Sequence, residues 1–193
     1  ELVVVLAKSE DAPYDNGTAK MFVYPGIKGA TSSIFSRSKK TTSIYEDYTE
    51  DDNSYRRSMQ SPGVAVGDVD GDGINEVVVG GYQWISKNKK VYESKKAQLL
   101  GIYKQNTAGT MTKVILTDPG MNAMITRGFY ERDDIHPRAA VATVAFNGQN
   151  GKDLIFFNGQ IMTYNPDAGI SVNYTPEYFN HTDIGMPGAK VTT

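Results

Sequence analysis

In "GDVDGDGINEVVVGG", Gly67 to Gly81, aspartates stand at positions 68, 70 and 72 and a glutamate at 76, directly before a block of valines. Three carboxylates packed this closely repel one another unless a positive charge offsets them, and a tight turn alone needs a single Asp. The chemistry such spacing serves is capture of a hard cation. Calcium gathers about six to eight oxygens from carboxylates, carbonyls and water, whereas magnesium demands compact octahedral geometry and keeps its waters, and zinc prefers nitrogen or sulfur. Calcium is therefore the expected ion.

The valine block decides what flanks the loop. An EF-hand places oxygens at loop positions 1, 3 and 5, Gly at 6, a backbone carbonyl at 7 and a bidentate Glu at 12. Asp68, Asp70 and Asp72 fill the first three, Gly73 the sixth and the Ile74 carbonyl the seventh, but position 12 is Val79. The EF-hand and dockerin readings both fail there, because Val77 to Val79 offer no oxygen and read as strand. An acid arrives instead at position 9, as Glu76. The loop belongs between two strands.

Those strands recur. "ELVVVLA", "EVVVGGY" and "DLIFFNG" begin at the acids Glu1, Glu76 and Asp153, spaced 75 and 77 residues apart. "SPGVAVGDV" from Ser61 matches "HPRAAVATV" from His136, and "AKMFVYPG", "AQLLGIYKQN" and "AGISVNYTPE" begin at Ala19, Ala97 and Ala168. Within the central period four strands are expected, Gly63 to Val69 (a), Glu76 to Tyr82 (b), Ala97 to Lys104 (c) and Met111 to Thr117 (d), from their alternation and β-branched content. A repeat of this length, four antiparallel strands at a time, predicts an all-β fold. It is a β-propeller segment of about three four-stranded antiparallel blades, part of a larger ring. A two-sheet sandwich is the alternative. The expected boundaries are a partial blade (strands b to d) with a linker loop over 1–60, a complete blade with the calcium loop over 61–135, and a third, truncated blade over 136–193.

"GVAVGDVDGDGINEVVVGG" resembles the FG-GAP and VCBS repeats, the calcium-loop blades of integrin α-subunit propellers and many bacterial surface proteins. In that family the acidic loop joins the first two strands of a blade and binds one calcium. The resemblance implies that Asp68, Asp70, Asp72, the Ile74 carbonyl and Glu76 are the ligands. Two departures stand out: Glu76 replaces the usual Asp, and the Phe-Gly and Gly-Ala-Pro signatures are blurred to "PG" and "GGY". In the third repeat Thr143 and Ala145 replace the first two aspartates. Only Asn147, Gln149 and Asp153 could give oxygen there, so Asn-Gly turns are expected in place of the metal. Glu1 would be the position 9 acid of a preceding loop.

Composition narrows the partners. The net charge is -2 over 193 residues, which offers no basic field to nucleic acid, and the apolar runs are too short to insert in a membrane. With no cysteine, disulfides and thiolate metal sites are excluded. The resemblance implies a secreted, extracellular or cell-surface protein. The long b–c and d–a connections, "AKSEDAPYDNGT", "QWISKNKKVYESKK", "TTSIYEDYTEDDNSYRRSMQ" and "DPGMNAMITRGFYERDDIHPR", all emerge on the face opposite the calcium loop. Rich in tyrosine and carrying Trp84, they are the expected ligand face, with the acidic run Glu46 to Asp52 read as a solvated loop. The expected function is a calcium-stabilised propeller that presents this face to a glycan or protein, the remaining blades lying outside the chain. No catalytic residue is assigned, since neither His136 nor His181 sits in a catalytic arrangement. A calcium-dependent polysaccharide lyase, using Tyr130, Arg132, His136 or Lys87 on a polyanionic sugar, is the alternative, and a structural spacer the third reading.

Overall fold

The computed structural model describes residues 1–7, 18–29, 31, 34–87, 90–119, 141–145, 151–157 and 160–174, and all extended regular structure among them is β-strand. In chain order the strands are β1 (Leu2–Leu6), β2 (Ala19–Tyr24), β3 (Lys40–Glu50), β4 (Asn53–Gly67), β5 (Glu76–Lys87), β6 (Lys90–Gln105) and β7 (Met111–Thr117). Then follow β8 (Val141–Ala145), β9 (Asp153–Phe157), β10 (Gln160–Asn165) and β11 (Gly169–Tyr174). Sequence neighbours pair antiparallel throughout, β1 to β7 in one sheet and β8 to β11 in another. The fold is all-β, and its four-stranded antiparallel units are those of a partial β-propeller.

The seven-stranded sheet is creased. β3 pairs with β2 through Lys40–Ile44 and with β4 through Tyr45–Glu50, so its two halves serve different units. Buried Ser58 sits at the crease, donating from Oγ to the Ile44 carbonyl at 2.5 Å and accepting the Ala19 amide at 2.9 Å. Folding there lays β1–β3 on one face of β5–β7, where Met21, Val23 and Ile44 meet Val77, Val79 and Leu99. The other face, Val78, Leu100 and Ile102, packs on Ile155, Phe157 and Met162 of the second sheet. A strand buried on both faces has no reason to alternate, which explains the unbroken valine run. Each such side chain contributes roughly 1.5–3 kcal/mol on burial. Gly80 lets the layers close, since a Cβ there would lie 2.4 Å from the Phe157 ring and 2.6 Å from Val141.

Within the connections expected as long loops at 41–60 and 83–96, residues 41–50, 53–60, 83–87 and 90–96 are strand instead. β3 and β4 form one hairpin and β5 and β6 another, so four strands run on beyond the blade. The run read as a solvated acidic loop is therefore hairpin: Asp47 and Glu46 face Arg56 and Arg57, Tyr48 stacks on Tyr55 with centroids 5.2 Å apart, and Asp51 and Asp52 make the turn with φ of 47° and 60°. Paired charges and stacked rings are cross-strand contacts that stabilise a ladder. The other two long connections and His181 lie outside the described residues, apart from Ala7, Thr18, Asp118 and Pro119 at the segment ends. In the second sheet the segment after Ala168 is the fourth strand, not the third. Its third strand, β10, begins three residues past the described end of β9, so the repeat is compressed and the resemblance to Ala19 and Ala97 falls out of phase.

Candidate metal centre

β4 ends at Gly67 and β5 begins at Glu76, and these two residues pair, so the ladder itself closes the ends of the acidic loop. Within it the carboxylates cap the backbone. Asp68 accepts the amides of Gly71 (2.7 Å) and Asp72 (3.1 Å) on Oδ1 and of Gly73 (2.8 Å) on Oδ2. Asp70 Oδ1 accepts the Asp72 amide at 3.1 Å and Asp72 Oδ1 the Ile74 amide at 2.9 Å. Such local acceptance is what Asp does in turns. Gly71 and Gly73, with φ of 82° and 86°, supply the left-handed backbone that the winding requires.

The winding gathers oxygens. One carboxylate oxygen from each of Asp68, Asp70 and Glu76 lies within 4.8 Å of the others. Asp72 is outside that trio, its carboxylate shared between the Ile74 amide and the Lys104 ammonium. Ile74 is 54% exposed and enters the loop's hydrogen bonding through its amide. Glu76 is fully buried. Its Oε2 accepts the Val69 amide at 3.1 Å and the Asp70 amide at 3.4 Å, while buried Oε1 makes no hydrogen bond among the described residues and meets only the Lys104 ammonium, at 3.2 Å. Burial, reinforced by the neighbouring Asp70 charge, pushes the Glu76 carboxyl above its usual range against the pull of Lys104. Hydrogen bonding from Lys104 holds Asp72 below its range.

These residues fit calcium. A buried carboxylate oxygen without a hydrogen bond, beside two further carboxylates, is a donor set of hard oxygens only, and a carboxylate that accepts amides retains lone pairs for an ion. Asp68, Asp70 and Glu76 would hold it. In the third repeat Thr143 donates to the Val66 carbonyl at 2.7 Å and Asp153 binds the Asp68 backbone; Ala145 ends β8, and Asn147 and Gln149 lie outside the described residues. Glu1 is exposed, and its Oε1 accepts from Gln105 Nε2 at 3.0 Å.

Two participants were not foreseen from the sequence. Lys104, near the end of β6, donates to Asp70 Oδ2 at 2.9 Å and also to Asp72 Oδ2. Its burial opposes the charge, yet the three acid partners outweigh that and raise its pKa well above the ordinary lysine value. Asp153, from β9, grips the first loop residue: its Oδ2 accepts the Asp68 amide at 3.0 Å and its own amide donates to the Asp68 carbonyl at 2.7 Å. Of the residues considered for catalysis, Tyr130, Arg132 and His136 lie outside the described residues, and Lys87 ends β5.

Comparison with known families places the loop in a class. Residues 62–92 match the family model of the FG-GAP repeat. The span takes in the end of β4, the acidic loop and all of β5. An FG-GAP repeat set in antiparallel four-stranded units defines a propeller-type domain. No curated protein and no solved structure matches the chain.

Proposed function

We propose that this chain is a calcium-stabilised segment of an extracellular β-propeller that presents a binding surface to a glycan or protein. The observation that carries the reading is the convergence of Asp68, Asp70 and buried Glu76 within 4.8 Å inside an FG-GAP repeat, a repeat type that often binds calcium. The ion supplies the positive charge that lets the loop's carboxylates remain ionised together. Its role is structural: it ties the foot of β5 to the end of β4.

The surface is the extension formed by the β3–β4 hairpin, where Tyr45, Tyr48, Tyr55 and Arg56 are half-buried. Arg56 lies 3.9 Å above the Tyr45 ring centroid and is fixed by Asp47 at 2.6 and 2.8 Å. Rings and guanidinium groups held rigid are the side chains that contribute most at interfaces. Further blades are proposed to cover the outer layers, where Leu2, Leu6 and Val144 are 41%, 57% and 46% exposed. Exposed apolar sheet faces of this kind need a partner.

A glycan array probed with the chain in calcium, beside Tyr55→Ala and Arg56→Ala variants, tests the surface. Binding by the parent that both variants lose supports it. Binding that survives both places the surface elsewhere, and no binding to glycans, or to proteins in a parallel screen, leaves the segment a spacer.

A further inference from the structure

The acidic loop has a cation of its own. Lys104 Nζ stands 2.9 Å from Asp70 Oδ2 and 3.2 Å from Glu76 Oε1 and hydrogen-bonds Asp72 Oδ2, so its three partners are three different carboxylates. An ammonium has three protons to donate, and here each has an acid to face. Asp70 and Glu76 are two of the three residues whose oxygens converge. Asp68, the third, is bound to loop amides and not to the lysine. Calcium bonds oxygen at about 2.3–2.6 Å, so an ion drawing on Asp70 and Glu76 competes with the ammonium that already meets both carboxylates.

We infer that Lys104 is a tethered counter-cation, which holds the loop in its folded shape when calcium is absent and which calcium must displace to bind. The inference rests on the calcium reading above. It assigns Lys104 a positioning role that sets affinity: the loop stays organised in the free chain, and the ion binds less tightly than the same carboxylates alone would allow. At the distances seen, removing a positive charge beside the site strengthens the attraction for a divalent ion substantially, even with effective screening of a near-surface site.

The test is calorimetric titration of calcium chloride into the chain, Lys104→Met and Lys104→Gln, with Lys20→Met, at an exposed position of β2, as the control for loss of one positive charge. Thermal melts of each in chelator and in saturating calcium accompany it. Both Lys104 variants are expected to bind calcium about tenfold more tightly or better, to melt lower than the parent in chelator, and to gain more from calcium. Lys20→Met should behave as the parent. Equal affinity in the parent and the Lys104 variants overturns the inference and leaves the calcium reading standing. Absence of calcium binding in all four overturns both. A Lys104 variant that stays unfolded in saturating calcium also contradicts it, since the ion should then do the ammonium's work.

Discussion

Glu76 and Asp153 hold the same place in successive sheets, the first residue of the strand that follows the loop, yet both carboxylates serve one loop, that between β4 and β5. Glu76 turns into its own, capping Val69 and Asp70. Asp153 reaches across the layer boundary and caps Asp68 of the neighbouring one. The sheet with three aspartates thus keeps its strand-foot acid for itself, and the sheet where Thr143 and Ala145 replace two of them lends its acid to the neighbour. Both acids close on consecutive amides, of Asp68, Val69 and Asp70. The comparison teaches that this position is first a backbone clamp, and the proposed metal position is the one where the loop supplies more carboxylates.

The largest way to break this arrangement is to unseat the second sheet. Phe157→Ala empties the space beside Gly80 and should cost about 3–5 kcal/mol in urea unfolding. A loss below about 1 kcal/mol would mean the two sheets do not share a core.

The two acids can then be separated. Asp153→Ala leaves the Asp68 amide without its partner and should destabilise by about 1–3 kcal/mol, with calcium affinity little changed. Glu76→Gln should weaken calcium binding by about tenfold or more, by removing a charged oxygen donor. Calorimetry and urea unfolding on both variants check the pair, and an exchange of the two phenotypes would contradict the roles assigned.

The smallest effect belongs to the far hairpin. Hydrogen bonding from Arg56 holds Asp47 below the usual carboxylate range. A depressed acid contributes stability above its unfolded-state pKa and loses it as pH falls through the lowered folded value. Asp47→Asn should therefore cost about 0.5 kcal/mol at neutral pH, lose that difference as pH falls through the lowered folded value, and leave calcium affinity unchanged. A calcium phenotype in this variant would show the two ends of β4 to be coupled.

The acidic loop was legible because its signal is local: Asp68 to Glu76 carries ligand types, glycines and spacing within nine residues. The strands bearing the blade core were legible for the same reason. The hairpin extension was not, because its strands hold as many charges as a loop and only pairing shows Asp47 opposite Arg56 and Tyr48 opposite Tyr55. Lys104 was hidden by register. A plain ladder continued from the Lys87–Lys90 pair would set Glu76 opposite Gly101, but two irregularities displace the strands by three residues and bring Lys104 to the loop. Asp153 was read as the remnant of a metal site, since contacts across layers leave no trace in spacing.

The central claim is that a divalent ion completes the loop between β4 and β5. The most direct measurement is the melting temperature of the folded chain in saturating calcium and in chelator, run beside Asp70→Ala. At calcium about a hundredfold above its dissociation constant the ion should add about 2.7 kcal/mol, a rise of roughly 5 °C or more for a chain of this length, and Asp70→Ala should lose that rise. Superimposable melts of the parent with and without calcium would contradict the account.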